Sequence, residues 1–201
     1  MRKNQLSTLL AVCIFSIVSY GQKNKATTDY LNVPGPIAFD QKSYNLSWTS
    51  HPADNFYKQE YLTKGDNADR FISMVLLDVI TGDVNIRDIV ASKVAELKKL
   101  KETNPVINYE TLDNPKTGQY MIDFLISENA PNGGPGIVER NVYRYQTFAD
   151  KLGHKGVVLF GISTRSYGGD INKFFASLKL TRNGLINKIS KYPIPEIIIK
   201  K

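Results

Sequence analysis

Hydrophobic and polar positions alternate along much of the chain with a period of two, and in two stretches the period lengthens to that of a helix. Tyr44, Leu46 and Trp48 alternate with Asn45 and Ser47, which predicts a strand over Tyr44–Trp48. His51-Pro52-Ala53-Asp54-Asn55 reads as a turn, and Phe56–Leu62 as the second strand of a hairpin. Beyond the turn residues Lys64-Gly65-Asp66-Asn67, the run Phe71–Ile80 is almost wholly apolar, as in a strand covered on both faces. Ile86, Ile89, Val90, Val94 and Leu97 then recur at spacings of three and four, the stripe of an amphipathic helix. Asp83 or Asn85 is placed to cap its start, lysines crowd its last turn, and Asn104-Pro105 ends it.

Val106–Leu112 and Tyr120–Ser127 return to strand character, separated by the turn-forming stretch Asp113 to Gly118. Asn129–Gly136 is aperiodic and reads as a mobile loop. Val138–Phe148 and Gly156–Ser166 follow as strands, with His154 in the turn between them. Ile171, Phe174, Phe175, Leu178, Leu185 and Ile189 mark a second amphipathic helix from about Asp170, weakened at Gly184 and stopped by Pro193. Strands, one helix, more strands and a final helix make an α+β domain: a mostly antiparallel sheet of about six to eight strands with two main helices. A doubly wound nucleotide-binding fold needs regular strand–helix–strand alternation, which is missing.

The first residues change where the protein is expected to act. Arg2 and Lys3 precede an apolar run from Leu9 to Val18, and Ser19-Tyr20-Gly21 sets small residues before Gln22, the layout of a cleavable secretory signal. The run is about ten residues, against the ~20 needed to span a bilayer. Cys13, the single cysteine, follows Val12 and lacks the small preceding residues of a lipid-attachment site. Export to the periplasm or exterior, with cleavage near Gly21-Gln22, is therefore expected. The chain divides into a signal at 1–21, a flexible lead-in at 22–36, a single α+β domain at 37–192 and a tail at 193–201. Cleavage takes the 26 basic residues to 24 against 19 acidic, leaving a net charge of +5. That balance is compatible with peripheral contact with anionic surfaces and gives no argument for nucleic acid.

Candidate chemistry is sparse. With two histidines and one cysteine in the chain, no metal-ligand spacing appears, and no cofactor is expected. Gly133-Gly134-Pro135-Gly136 leads into a strand rather than opening a helix, so it is no phosphate cradle. Gly168-Gly169-Asp170 does open a helix, with Asp170 read as its cap. Gly161-Ile162-Ser163 falls inside a strand, not at a nucleophile elbow. The unusual feature is polar and aromatic content within the strands. Tyr57, Gln59 and Tyr61 share one face of their strand. Glu139, Asn141, Tyr143 and Tyr145 share a face of another, with Arg140 and Arg144 opposite, and Arg165 and Tyr167 end the next. Alternation sets Glu60 within reach of an arginine from this set. Tyr57, Glu60, Tyr61, Glu139, Tyr143, Arg144, Tyr145 and Arg165 thus make a candidate groove for a polar ligand such as a sugar or anionic polymer. A half-exposed sheet stabilised by tyrosines and cross-strand charge pairs accounts for the same residues and is the stronger account.

The segments Tyr44-Asn45-Leu46-Ser47-Trp48, Tyr57-Lys58-Gln59-Glu60-Tyr61-Leu62, Val138-Glu139-Arg140-Asn141 and Tyr143-Arg144-Tyr145 look like signatures of uncharacterised exported bacterial proteins. From Ile37 to Ile189 the order of elements also resembles the PsbP-like α/β/α sandwich, the fold of an extrinsic photosystem subunit and of a Ran-binding import factor. That resemblance implies an accessory or binding role and carries over no functional residue. The expectation is an exported, non-catalytic domain that binds a partner protein or an envelope component. The alternative is a small exported hydrolase with Glu60 and Glu139 as acid and base, which requires carboxyl groups about 5–10 Å apart in a cleft.

Overall fold

The computed structural model describes residues 27–130 and 133–200. The secretory-signal reading of residues 1–21 lies outside them. Eight strands form one curled antiparallel sheet: β1 (Ile37–Phe39), β2 (Lys42–Ala53), β3 (Phe56–Leu62), β4 (Ser73–Thr81), β5 (Asn108–Asn114), β6 (Gln119–Asn129), β7 (Pro135–Ala149) and β8 (Lys155–Tyr167), with helices α1 (Ile86–Lys101) and α2 (Ile171–Lys191). The spatial order β1-β2-β3-β4-β8-β7-β6-β5 joins two antiparallel meanders along the β4–β8 seam. The α+β class, the strand count and the two helices agree with the sequence reading.

β4 lies near the middle of the sheet. Its residues Ser73 to Val79 are all buried, as the apolar run predicts. From the end of β4 the chain must reach β5 at the far edge, and α1 makes that crossing over one face. Ile86, Val90 and Leu97 of α1 pack there on Ile122, Phe124, Tyr145 and Val157. The Asn85 side chain accepts a hydrogen bond from Arg87 N at 2.8 Å, capping α1 as expected. Asn85→Ala should cost about 1 kcal/mol, read as a lower midpoint in urea unfolding.

α2 lies on the other face and is pinned by buried charge. Arg140 binds Asp123 through Nε and Nη2, its Nη2 also reaches Arg182 O, and Arg182 Nε meets the same Asp123 carboxylate at 2.7 Å. Gly184 does not interrupt the helix. Asp170 occupies its N-cap position, but the side chain makes no capping hydrogen bond and lies 3.6 Å from Lys173. The glycines before it form a single 3-10 turn, Gly168–Asp170, that is enough to redirect the chain.

Three sequence expectations change. First, the 22–36 lead-in and 193–201 tail are not loose where the structure describes them: Leu31, Val33, Ile197 and Ile199 are core residues. Ile198 N donates to Leu31 O and Lys200 N to Tyr30 O, while Ile199 N reaches the Asp150 carboxylate. This pairing joins opposite ends of the chain, so no local period reveals it. Second, β2 runs to Ala53 and leaves only Asp54-Asn55 as the turn. A bulge pairs Leu46 with Tyr61 but Trp48 with Glu60, moving Trp48 onto the opposite face from Leu46. Third, β6 and β7 extend to Asn129 and from Pro135, so the Asn129–Gly136 segment is a short hairpin connection, with Ala130 N donating to Gly134 O.

Candidate functional site

Alternation and register decide where each candidate side chain goes. In β3, Tyr57, Gln59 and Tyr61 lie opposite Val79, Leu77 and Val75, on the face that carries α2. Tyr61 donates to Val33 O at 2.7 Å, and Gln59 accepts from Leu31 N at 3.0 Å. Together they hold the N-terminal segment onto the sheet. Burial raises the Tyr61 phenol above its ordinary value, which keeps it a proton donor. Tyr57 stacks on His51, ring centroids 4.3 Å apart.

Arg144 shares this face and is 98% buried by its neighbours, with 2% of its surface exposed. Its guanidinium donates to Ile189 O at 2.6 Å, Ser190 O at 2.9 Å and Tyr192 O at 2.8 Å, closing the C-terminus of α2. Ile189 O already accepts from Tyr192 N at 3.3 Å; Arg144 adds to it and supplies a donor for Ser190 O and Tyr192 O, and the negative end of the helix balances the charge. Burial lowers its guanidinium below the ordinary arginine value. A single groove lined by all eight candidates is therefore not formed. Tyr57, Tyr61 and Arg144 face α2, while Glu60, Glu139, Tyr143, Tyr145 and Arg165 face α1.

On the α1 face the residues separate again. Tyr145 is buried in the α1 cluster. Tyr143 meets Phe124 edge-on at 4.9 Å and lies across Gly161, where a Cβ would stand 2.7 Å from its Cδ1. Glu139 accepts from Arg165 Nε on one oxygen and from Asn141 Nδ2 at 2.9 Å on the other. The Asn141 oxygen in turn accepts from Ser163. The Arg165 guanidinium stacks 4.1 Å from the centroid of the Phe71 ring. Burial alone would lower Arg165, and the Glu139 carboxylate outweighs it, raising it above its ordinary value.

Glu60 stands apart from these pairs. The α1 cluster takes no residue from β2, β3 or β4, and on this half of the face Leu62, Phe71 and Met74 form a small apolar cluster of their own. Trp48 and Leu76 are the cross-strand neighbours of Glu60, and Lys58 with Asp78 forms the next pair along. Lys58 Nζ bonds Asp78 Oδ2 at 2.8 Å, whereas Asp78 Oδ1 is buried with no hydrogen-bond partner among the described residues. Burial first, and then the nearby Asp78 carboxylate, push the Glu60 carboxyl up to about 7 against the opposing pull of Lys58. Among the described residues no group of three or more His, Cys, Asp or Glu is arranged to hold a metal ion.

Trp48, Lys58, Asp78, Asn141 and Ser163 were not among the sequence candidates. Asp78 had a legible signal, as the one carboxylate inside an apolar strand. Trp48 had none, because its face depends on the bulge. Two open concavities lie elsewhere. One of about 400 Å³ is lined by Lys98, Lys101, Glu102, Asn108 and Tyr109, and one of about 380 Å³ lies between the β7–β8 turn and Ile194–Ile197. Neither includes a sequence candidate.

No curated protein and no solved structure matches the chain. A protein-family model matches residues 31–194, more than half of the length and spanning every strand and both helices, and by that match the chain belongs to a family of uncharacterised proteins.

Proposed function

We propose that this is an exported, non-catalytic domain that binds an envelope component through the part of the α1 face that α1 leaves to the sheet, centred on Trp48 and Glu60. The observation that carries the reading is the asymmetry of the two faces. The α2 face is closed by α2, the N-terminal segment and the tail. The other presents a 36% exposed tryptophan beside a half-buried carboxylate. Exposed aromatic surface beside fixed polar groups suits recognition of a polar ligand. The hydrolase alternative is weaker: both carboxylate oxygens of Glu139 are taken up by Asn141 and Arg165 within the sheet rather than turned to a ligand. Helices on both faces of one sheet also favour the PsbP-like sandwich as the finer description of the fold.

The test is binding of the full chain to isolated bacterial cell-wall material, with subcellular fractionation of the expressing host run in parallel. Trp48→Ala should weaken binding roughly tenfold or more, about 1.4 kcal/mol. Undiminished binding by that variant, or retention of the chain in the cytoplasm, would remove this reading.

A further inference from the structure

The two edges of the sheet differ. β1 ends it on one side with three residues, whereas β5 ends it on the other with seven, Asn108 to Asn114. β5 pairs with β6 residue for residue and without a bulge. Among the described residues no other backbone pairs with its outer edge. The strand holds no proline and no lysine, the residues that ordinarily blunt an exposed edge. Such an edge presents a row of N–H and C=O groups that another strand can complete. Alternation sets Tyr109, Thr111 and Asp113 on the α1 face, while Leu112 and Glu110, which bonds Arg182, lie on the α2 face.

We infer that two copies of this chain join along β5, antiparallel, about a two-fold axis at Thr111. Charge and length select that register. Centred on Thr111, all seven residues of each strand pair, with Glu110 opposite the partner's Leu112 and Asp113 opposite the partner's Tyr109. Centred on Glu110, two carboxylates would oppose each other, which is destabilising. Centred on Leu112, Asn108 and Tyr109 would be left unpaired. The Thr111 register forms about six to eight backbone hydrogen bonds. It also brings opposite charges together. Tyr109 borders the concavity of about 400 Å³ that Lys98, Lys101 and Glu102 line, with positive charge in excess. Both lysines stand in the last turn of α1, and Lys101 Nζ donates to Asn108 Oδ1 at 3.1 Å. The partner's Asp113 thus arrives beside these lysines, and the two-fold repeats the contact at the other end of the strand. Within its own copy Asp113 lies near Arg87, whose Nε donates to the Tyr120 hydroxyl at 2.6 Å. Its carboxylate then sits between cations of both copies. The contact is isologous and closes on itself, as a dimer requires. Because the axis is perpendicular to the sheet, both α1 faces lie on the same side of the dimer.

Sedimentation equilibrium of the full chain should give twice the monomer mass. Asp113→Lys sets like charge against Lys98 and Lys101 and should weaken self-association roughly tenfold, with an unchanged circular dichroism spectrum. Adding Lys98→Glu to the same chain should restore most of the loss, a rescue that a merely structural role for Asp113 would not allow. Thr111→Cys, made together with Cys13→Ser, reads the register directly. The axis brings residue 111 of the two copies to about 4.5–5.5 Å between Cα atoms, within reach of a disulfide. Mild oxidation should cross-link this variant and leave Ile72→Cys, at an exposed position away from β5, monomeric on a denaturing gel. A monomer at every concentration overturns the inference. So does a dimer that Asp113→Lys leaves undiminished or that Lys98→Glu fails to rescue. A dimer in which Thr111→Cys cross-links no better than Ile72→Cys overturns it as well, since the copies would then meet elsewhere.

Discussion

Arg144→Met is expected to lower the unfolding free energy by about 3–5 kcal/mol, a large part of the roughly 5–15 kcal/mol that holds a domain of this size folded. Methionine fills similar volume, so the loss is chiefly one of hydrogen bonds. Two carbonyls at the end of α2, Ser190 O and Tyr192 O, lose the Arg144 donor at once, and Ile189 O keeps only the bond from Tyr192 N. Each buried acceptor left unpaired costs about 1–3 kcal/mol. Arg144→Lys should rescue little, because an ammonium cannot reproduce the planar fork that spans the three oxygens. Thermal unfolding reads the effect as a fall in Tm of roughly 8–15 °C. A fall of only a few degrees would mean that the helix end is satisfied by other donors. Tyr192 adds a local signature: its ring stacks on Phe160 at 4.7 Å, so near-ultraviolet dichroism should change with the variant.

The second large effect depends on pH. The Glu60 carboxyl rises from an ordinary 4.5 to about 7 in the folded chain, principally through burial. Below about pH 4.5 the group is protonated both folded and unfolded and adds nothing to stability. Between about 4.5 and 7 the unfolded chain releases the proton while the folded chain retains it, so stability falls as pH rises. Above 7 the penalty is complete, on the order of 3 kcal/mol. Glu60→Gln should therefore match the parent chain near pH 4.5 and exceed its stability near pH 8 by up to that amount. Urea unfolding of both proteins at the two pH values isolates the effect, because every other titrating group is common to them. A difference that shrinks with rising pH would show that Glu60 is paired rather than merely buried.

Much of the fold is legible residue by residue. The period of two places Phe56–Leu62, and β3 has those bounds. Alternation also sorts Tyr57 and Tyr61 from Glu60, and Arg144 from Tyr143 and Tyr145, onto the faces the register assigns. The candidate site was less legible, for two physical reasons. Alternation within a strand says which residues share its face but not which face of one strand joins which face of the next. Tyr57 and Tyr143 therefore looked compatible with one groove and lie on opposite sides of the sheet. A bulge also inverts everything beyond it, so Trp48, read as a partner of Tyr44 and Leu46, is the neighbour of Glu60 instead. Asp123, whose carboxylate meets both Arg140 and Arg182, was not singled out because its partners lie 17 and 59 positions away.

The seam between the two ends of the chain also sets a timetable for folding. Tyr30 and Leu31 are made well before their backbone partners Lys200 and Ile198, which follow 170 and 167 positions later. The meander β5–β8 can assemble from near neighbours as it emerges, but the α2 face cannot close until Ile197 to Lys200 have been made. A growing chain thus stays open along one side until that seam is complete, and the domain closes in one late step.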